Sequence, residues 1–194
     1  MRISVISLAP ARVHIEGERA SAARAWSFRN TYAGLTGLGE RIENFSLKDA
    51  SGANIAVRRL APGEYQAAEA ATRFSYEMRL EAPLQPTDAA FVSWLAADYG
   101  FLMPGDLLPQ LGAEPGGANS GAKETAGPAH AALTVQFDLP PGWGIAAAGT
   151  AGAAGLYEVD DPENAVFLAG KGLRERRQQA GSMELAYATT GQWA

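Results

Sequence analysis

The stretch "TRFSYEMRLE" places Phe74, Tyr76, Met78 and Leu80 at every second position, with Arg73, Ser75, Glu77, Arg79 and Glu81 between them. Successive side chains of an extended backbone point to opposite faces, so this period of two predicts a strand with one greasy and one wet face. On a helix the same residues would be scattered around the circumference. "LTVQFDL" repeats the pattern, with Leu133, Val135, Phe137 and Leu139 inward and Thr134, Gln136 and Asp138 outward. Shorter runs of the same kind are "ISVISL", "RVHIE", "RAWSF", "ENFSL", "NIAVRRL" and "ELAYAT". Many short strands separated by turn formers predict an all-β chain, an antiparallel two-sheet sandwich with irregular Gly/Ala-rich loops, residues 1–194 forming a single domain.

Two segments need more thought. "LYEVDDPENAVFLAG" reads as a hairpin, two strands around the turn formers Asp160 to Asn164. "PTDAAFVSWLAADYG" fits a short helix capped at Thr87 or Asp88 and stopped at Gly100, or a strand "FVSWL" buried on both faces; its β-branched and aromatic content tilts it toward strand. Residues 112–132, "GAEPGGANSGAKETAGPAHAA", hold no large apolar side chain to anchor them and read as a mobile surface loop. "GIAAAGTAGAAG", Gly144 to Gly155, reads as a shorter stretch of the same kind.

Bulk properties narrow the function. A net charge of −5 argues against nucleic acid, whose phosphates need a basic face. With no cysteine there is no disulfide framework, thiolate zinc site or cysteine nucleophile. "MRISVISLAPARVHIEGE" lacks the apolar core of a signal peptide and no run reaches the ~18 apolar residues of a membrane span, so a soluble chain is expected.

Chemistry-bearing constellations are sparse. The two histidines lie far apart, His14 on the wet side of a strand and His130 in the loose loop, and no H-E-x-x-H joins them, so no metal ligand set is assigned. Ser93 has no identifiable base and no G-x-S-x-G elbow occurs. Asp98, Asp106, Glu158 and Asp160 could furnish paired carboxylates of a hydrolase, although solvated loop carboxylates explain them as well. The glycines of "YAGLTGLGER" read as a turn between strands, since nothing frames them as a phosphate loop. "KGLRERRQQ" concentrates Lys171, Arg174, Arg176 and Arg177; it reads as a solvated or edge strand, with partner docking by Arg174, Arg176 and Arg177 the functional alternative. Pro140 and Pro141 must end the pairing of "LTVQFDL", Gly142 supplies a turn, and Trp143 is expected to fold back as a plug over the end of the sandwich.

Taken in order, "AWSFRNTYAGLTGLGERIENFSLKDASG", "LAPGEYQA", "RFSYEMRL", "LPPGW" and "DDPENAVFLAG" resemble the N-terminal β-domain of the glycyl-aminopeptidase family, from about Trp26 to the end. Pro62, Gly63 and Tyr65 look like that domain's turn into a strand, and "TTGQW" resembles the last strand before its catalytic domain. These proteins are zinc metallopeptidases whose later part carries the catalytic domain and often a PDZ module. Their H-E-x-x-H is absent from this chain, so no catalytic residue is carried over, and the insertion from Gly112 to Pro128 departs from the pattern. The resemblance implies a non-catalytic front domain that packs on a zinc domain outside these residues and helps shape its peptide cleft. It implies zinc in that absent domain, none in this chain, and a secreted or periplasmic home. Within it, Tyr99 and Asp106, in the segment after "FVSWL", are expected to face the cleft. The competing readings are a stand-alone sandwich that binds a glycan or a protein, and the paired-carboxylate hydrolase.

Overall fold

The computed structural model describes residues 1–84, 90, 92–111, 133–147, 152, 155–181 and 183–191. In chain order its strands begin β1 (Arg2–Leu8), β2 (Ala11–Ser27), β3 (Thr31–Tyr32), β4 (Leu35–Thr36), β5 (Ile42–Lys48), β6 (Asn54–Ile55), β7 (Val57–Ala61) and β8 (Glu64–Arg79). They continue with β9 (Trp94–Leu95), β10 (Tyr99–Leu102), β11 (Gln110–Leu111), β12 (Leu133–Asp138), β13 (Trp143–Ala147), β14 (Leu156–Val159), β15 (Phe167–Lys171), β16 (Arg174–Ala180) and β17 (Met183–Thr189). A 3-10 turn at Leu38–Arg41 and one helical turn, α1 (Pro104–Leu107), complete the set.

The all-β expectation holds, and the strands form two unequal layers. The large sheet runs β14-β12-β1-β2-β8-β5-β6, with β11 added to β2 and β7 to β8. The small sheet runs β13-β15-β10-β9. One pairing departs from the antiparallel scheme: β1 lies parallel to β12, Arg2 opposite Gln136 and Ser4 opposite Asp138. The alternation that predicted β8 is realised side chain by side chain, Phe74, Tyr76, Met78 and Leu80 being buried. Their neighbours across the layer interface include Leu95, Leu102, Phe167 and Ala169 of the small sheet, which belong to the same core cluster. Aromatic rings fill its centre, Phe28 meeting Tyr76 edge-on at 4.8 Å between centroids. Trp26 is 1% exposed and Trp94 6%, which is the core placement that burial energetics favour for indoles.

Three local readings are corrected or sharpened. Leu156–Val159 and Phe167–Lys171 do not form a hairpin: β14 pairs with β12 in the large sheet, whereas β15 pairs with β10 and β13 in the small one. The Asp160–Asn164 turn therefore carries the chain between layers, with Ala165 N–H donating to Asp161 O at 3.0 Å. The Pro140–Gly142 corner does the same. Trp143 N–H donates to Pro140 O at 3.1 Å and Gly142 sits at φ +79°, the backbone a Pro-Gly turn of type II demands. The chain thus leaves β12 and enters β13, and Trp143 opens that edge strand and packs, partly buried, against the core. Gly144–Ala147, read as loose, is ordered as the rest of that strand, its register set by Phe167–Gly170 of β15. The residues 112–132, Thr87, Asp88, Phe91, His130 and Trp193 lie outside the described residues.

Candidate functional site

The two sheets differ in what they show to the outside. The outer face of the large sheet is a ladder of charges that satisfy one another across strands. Arg12 meets Glu43 at 3.0 Å and Glu77 at 3.7 Å, Arg79 meets Glu43 at 3.3 Å, and Arg2 meets Asp138 at 3.5 Å. His14 belongs to this wet face, opposite Ser4 and Glu77 in register. Such a face is content in water.

The small sheet is apolar on its outer side as well. Cross-strand register lines up Trp94 of β9 with Phe101 of β10, Phe101 with Leu168 of β15, and Leu168 with Ala146 of β13. Trp94 packs edge-on against Phe101 at 5.6 Å and against Tyr99 at 5.4 Å. A one-layer sheet edge that must face water alternates greasy and polar; a band of this kind marks a sheet made to be covered on both sides. "FVSWL" accordingly ends in a strand buried on both faces, Val92, Ser93, Trp94 and Leu95 all being buried.

Over one end of this band stands the β16–β17 ribbon, a two-stranded sheet of its own. Every residue of β16 is exposed. Its base is clasped by Thr190, whose hydroxyl donates to Lys171 O at 2.9 Å while its side chain rests on Gly170, where a Cβ would lie 2.8 Å from the Thr190 Cβ. Register puts Glu175 and Arg177 opposite Ala188 and Ala186 on the side facing the sheet, and Arg174 and Arg176 opposite Thr189 and Tyr187 on the other side, from which Tyr187 also reaches the groove. Between ribbon and sheet runs a groove of about 580 Å³ lined by Phe101, Ala146, Val166, Leu168, Ala186 and Ala188, with Glu175 and Arg177 at its rim. Those two side chains pair with each other at 2.8 Å. Glu175 also adds to burial in holding the Tyr157 phenol above its ordinary pKa.

Of the sequence-predicted site residues, Tyr99 is 44% exposed, whereas Asp106 is 3% exposed and turned into the interior. Asp106 lies in α1, opened by Pro104 at its first position, where the missing N–H costs nothing. Its Oδ1 accepts from Arg41 Nη2 at 2.6 Å and its Oδ2 from the Ser93 backbone N–H at 2.7 Å. Arg41 also reaches Leu38 O at 3.1 Å, and Ser93 Oγ accepts from Met103 N–H at 2.8 Å. The Tyr76 hydroxyl donates to Leu107 O; burial first, then the nearby Asp106 charge, pushes that phenol well above its ordinary pKa. This polar knot pins the segment that carries Trp94, Tyr99 and Phe101 to the large sheet. Ser93, without a base in the sequence, is explained by it as a structural hydroxyl. The partner that sequence reasoning missed is Arg41, 65 residues from Asp106, for which no local signal exists.

Among the described residues no three His, Asp or Glu side chains converge as a metal would require. The exposed aromatics Tyr32, Tyr99 and Tyr187 belong to β3, β10 and β17, separate pieces of structure, so no sugar-stacking row is seen among the described residues.

No protein-family model and no curated protein sequence matches the chain. Its structure is similar to that of an aminopeptidase N family protein from Idiomarina loihiensis, with a TM-score of 0.69 and 16% identity, the match covering 98% of this chain and 32% of that one. An M1 zinc metallopeptidase from Deinococcus radiodurans matches more loosely, with a TM-score of 0.45 and 13% identity, over 97% of this chain and 45% of that one. The likeness to the Idiomarina protein establishes a shared fold, and this chain spans about a third of that protein's length.

Proposed function

We propose that these residues form a non-catalytic β-sandwich domain of a zinc aminopeptidase-like protein, and that the domain packs against its zinc domain through the outer face of the small sheet. The observation that carries this reading is the contrast between the two outer faces. The large sheet closes its charges among themselves, while the small sheet leaves Phe101, Leu168 and Ala146 lining an open groove. The shared fold with an aminopeptidase N family protein three times as long supplies the class of partner. In this reading zinc and the reacting groups reside in the partner domain. Tyr99, held at the rim of the band by Trp94, is the residue of this chain that reaches toward the peptide cleft. Asp106 acts behind it, keeping the segment in place through Arg41 and Ser93.

The test is made on the native gene product. Its intact mass should exceed that of these 194 residues severalfold, and it should bind zinc and release N-terminal residues from peptides while this chain alone does neither. Tyr99→Ala in that protein should raise KM for peptides with kcat little changed. A native polypeptide that ends with this chain would sink the reading, and unaltered kinetics of Tyr99→Ala would remove Tyr99 from the cleft.

A further inference from the structure

The ribbon presents a second face, whose Tyr187 also borders the groove. Arg174, Arg176 and Gln178 of β16 lie on it opposite Thr189, Tyr187 and Leu185 of β17. Leu185 is 47% exposed and Tyr187, which also borders the groove, 51%, so this face combines cations with apolar surface. A two-stranded ribbon buries too little to be stable by itself in water and needs cover from another element. Among the described residues the cover inside the chain reaches the base at Thr190 and the groove side. The charge is also out of keeping with its surroundings. The sequence from Lys171 to Gly191 holds four cations against two carboxylates, in a chain whose net charge is −5. Arg177 is matched by Glu175; Arg174 and Arg176 point the other way, with no carboxylate within salt-bridge distance among the described residues.

Resting on the reading above, we infer that this outward face of the ribbon seats on an acidic surface with an apolar centre, contributed by the polypeptide that follows these residues in the longer protein. Three observations choose that occupant. The Idiomarina structure leaves about two-thirds of its length outside the match. The ribbon's second strand ends at Thr189, so any continuing chain starts at the ribbon's base and is held there at high effective concentration. Two arginines flanking Tyr187 and Leu185 complement carboxylates around an apolar patch; Arg and Tyr are the side chains that anchor such interfaces. An approach by the seven-residue edge of β16 itself is disfavoured, because its charges resist strand-to-strand pairing.

The experiment compares amide hydrogen exchange of residues 174–189 in the native full-length protein, in the same protein carrying R174E/R176E, and in the 194-residue chain. The seated ribbon should exchange at least tenfold more slowly in the full-length protein than in the isolated chain, and the double charge reversal should abolish that protection. R174K/R176K should retain most of it, and raising the salt concentration should weaken it. Equal exchange of the ribbon in full-length protein and isolated chain overturns the inference while leaving the domain reading intact. A native protein that ends with this chain overturns both. Dimerisation of the isolated chain that R174E/R176E abolishes would make a second copy the occupant and overturn the inference as well.

Discussion

Replacing Asp106 by leucine tests how the segment with Tyr99 is held. The change removes a carboxylate whose side chain is 1% exposed and leaves the Arg41 guanidinium, 17% exposed, facing, among the described residues, the carbonyls of Leu38 and Ser93. It also orphans the buried Ser93 N–H. Breaking a buried ion pair on one side costs about 3–5 kcal/mol, and the residual exposure of Arg41 argues for the lower end, about 3 kcal/mol. For a chain of this size that corresponds to a fall in Tm of about 6–12 °C. Arg41→Met combined with Asp106→Leu removes both charges together. It should be less destabilising than the two single changes added, with a coupling of at least ~1 kcal/mol, since no buried charge is then left uncompensated and the losses are those of neutral groups, the Ser93 N–H and the carbonyls of Leu38 and Ser93. Urea unfolding followed by tryptophan fluorescence reads all four proteins, with the denaturant slope unchanged across the set. An Asp106→Leu protein within about 0.5 kcal/mol of the parent, or strictly additive single changes, would refute the argument that this pair anchors the segment.

Three further outcomes are expected. Trp143→Ala removes a half-buried indole from the head of β13 and should cost about 2 kcal/mol, below a full core truncation; unchanged melting would mean the ring contributes no packing. Gly100→Ala would drive a Cβ to within 2.7 Å of the Leu95 Cα and against the Trp94 carbonyl, backbone that cannot yield, so a loss of about 3 kcal/mol is expected; soluble protein melting as the parent does would contradict the close approach of β9 and β10. Tyr76, Tyr65 and Tyr157 all have phenol pKa values raised by burial first. Each therefore keeps its proton in the folded state after the unfolded chain has lost it. Their contribution is complete below the unfolded value of 10.0 and falls as pH rises beyond it, by up to about 1.4 kcal/mol per pH unit for the fully buried Tyr76 and by less for Tyr65 and Tyr157, which solvent screens. Tyr76→Phe should flatten that alkaline decline in a pH series of urea midpoints, and a parent protein equally stable at pH 9 and 11 would count against the burial of these phenols.

How much of this was open to reading in the residues divides along the range of the interactions. Where the pattern is local, as in Phe74, Tyr76, Met78 and Leu80, alternation predicted the strand and its buried face together. Pro140 and Gly142 likewise announced their turn, because proline cannot extend a ladder and glycine tolerates a positive φ. What a turn does not reveal is which layer the next strand joins. Asp160 to Asn164 looked like a hairpin loop for that reason, though it carries the chain from one sheet to the other. Gly144 to Ala147 escaped notice because small side chains leave no periodic trace; their strand is imposed by β15. For the candidate site, Arg174, Arg176 and Arg177 were visible as a charge run. The Asp106–Arg41 pair and the Trp94–Phe101–Leu168–Ala146 row depend on strands brought together from distant parts of the chain.

The parallel pairing of β1 has a consequence for synthesis. β1 lies between β12 and β2, so the N-terminal strand is an interior stave of the large sheet and not its hem. Its partner Gln136 stands 134 positions after Arg2. At ribosomal speeds that interval is on the order of 10 s, during which the β1 edge later taken by β12 has no mate. Removing the first nine residues would cut β12 and β14 off from β2 and its neighbours, so a truncation that looks modest on paper would split the layer in two.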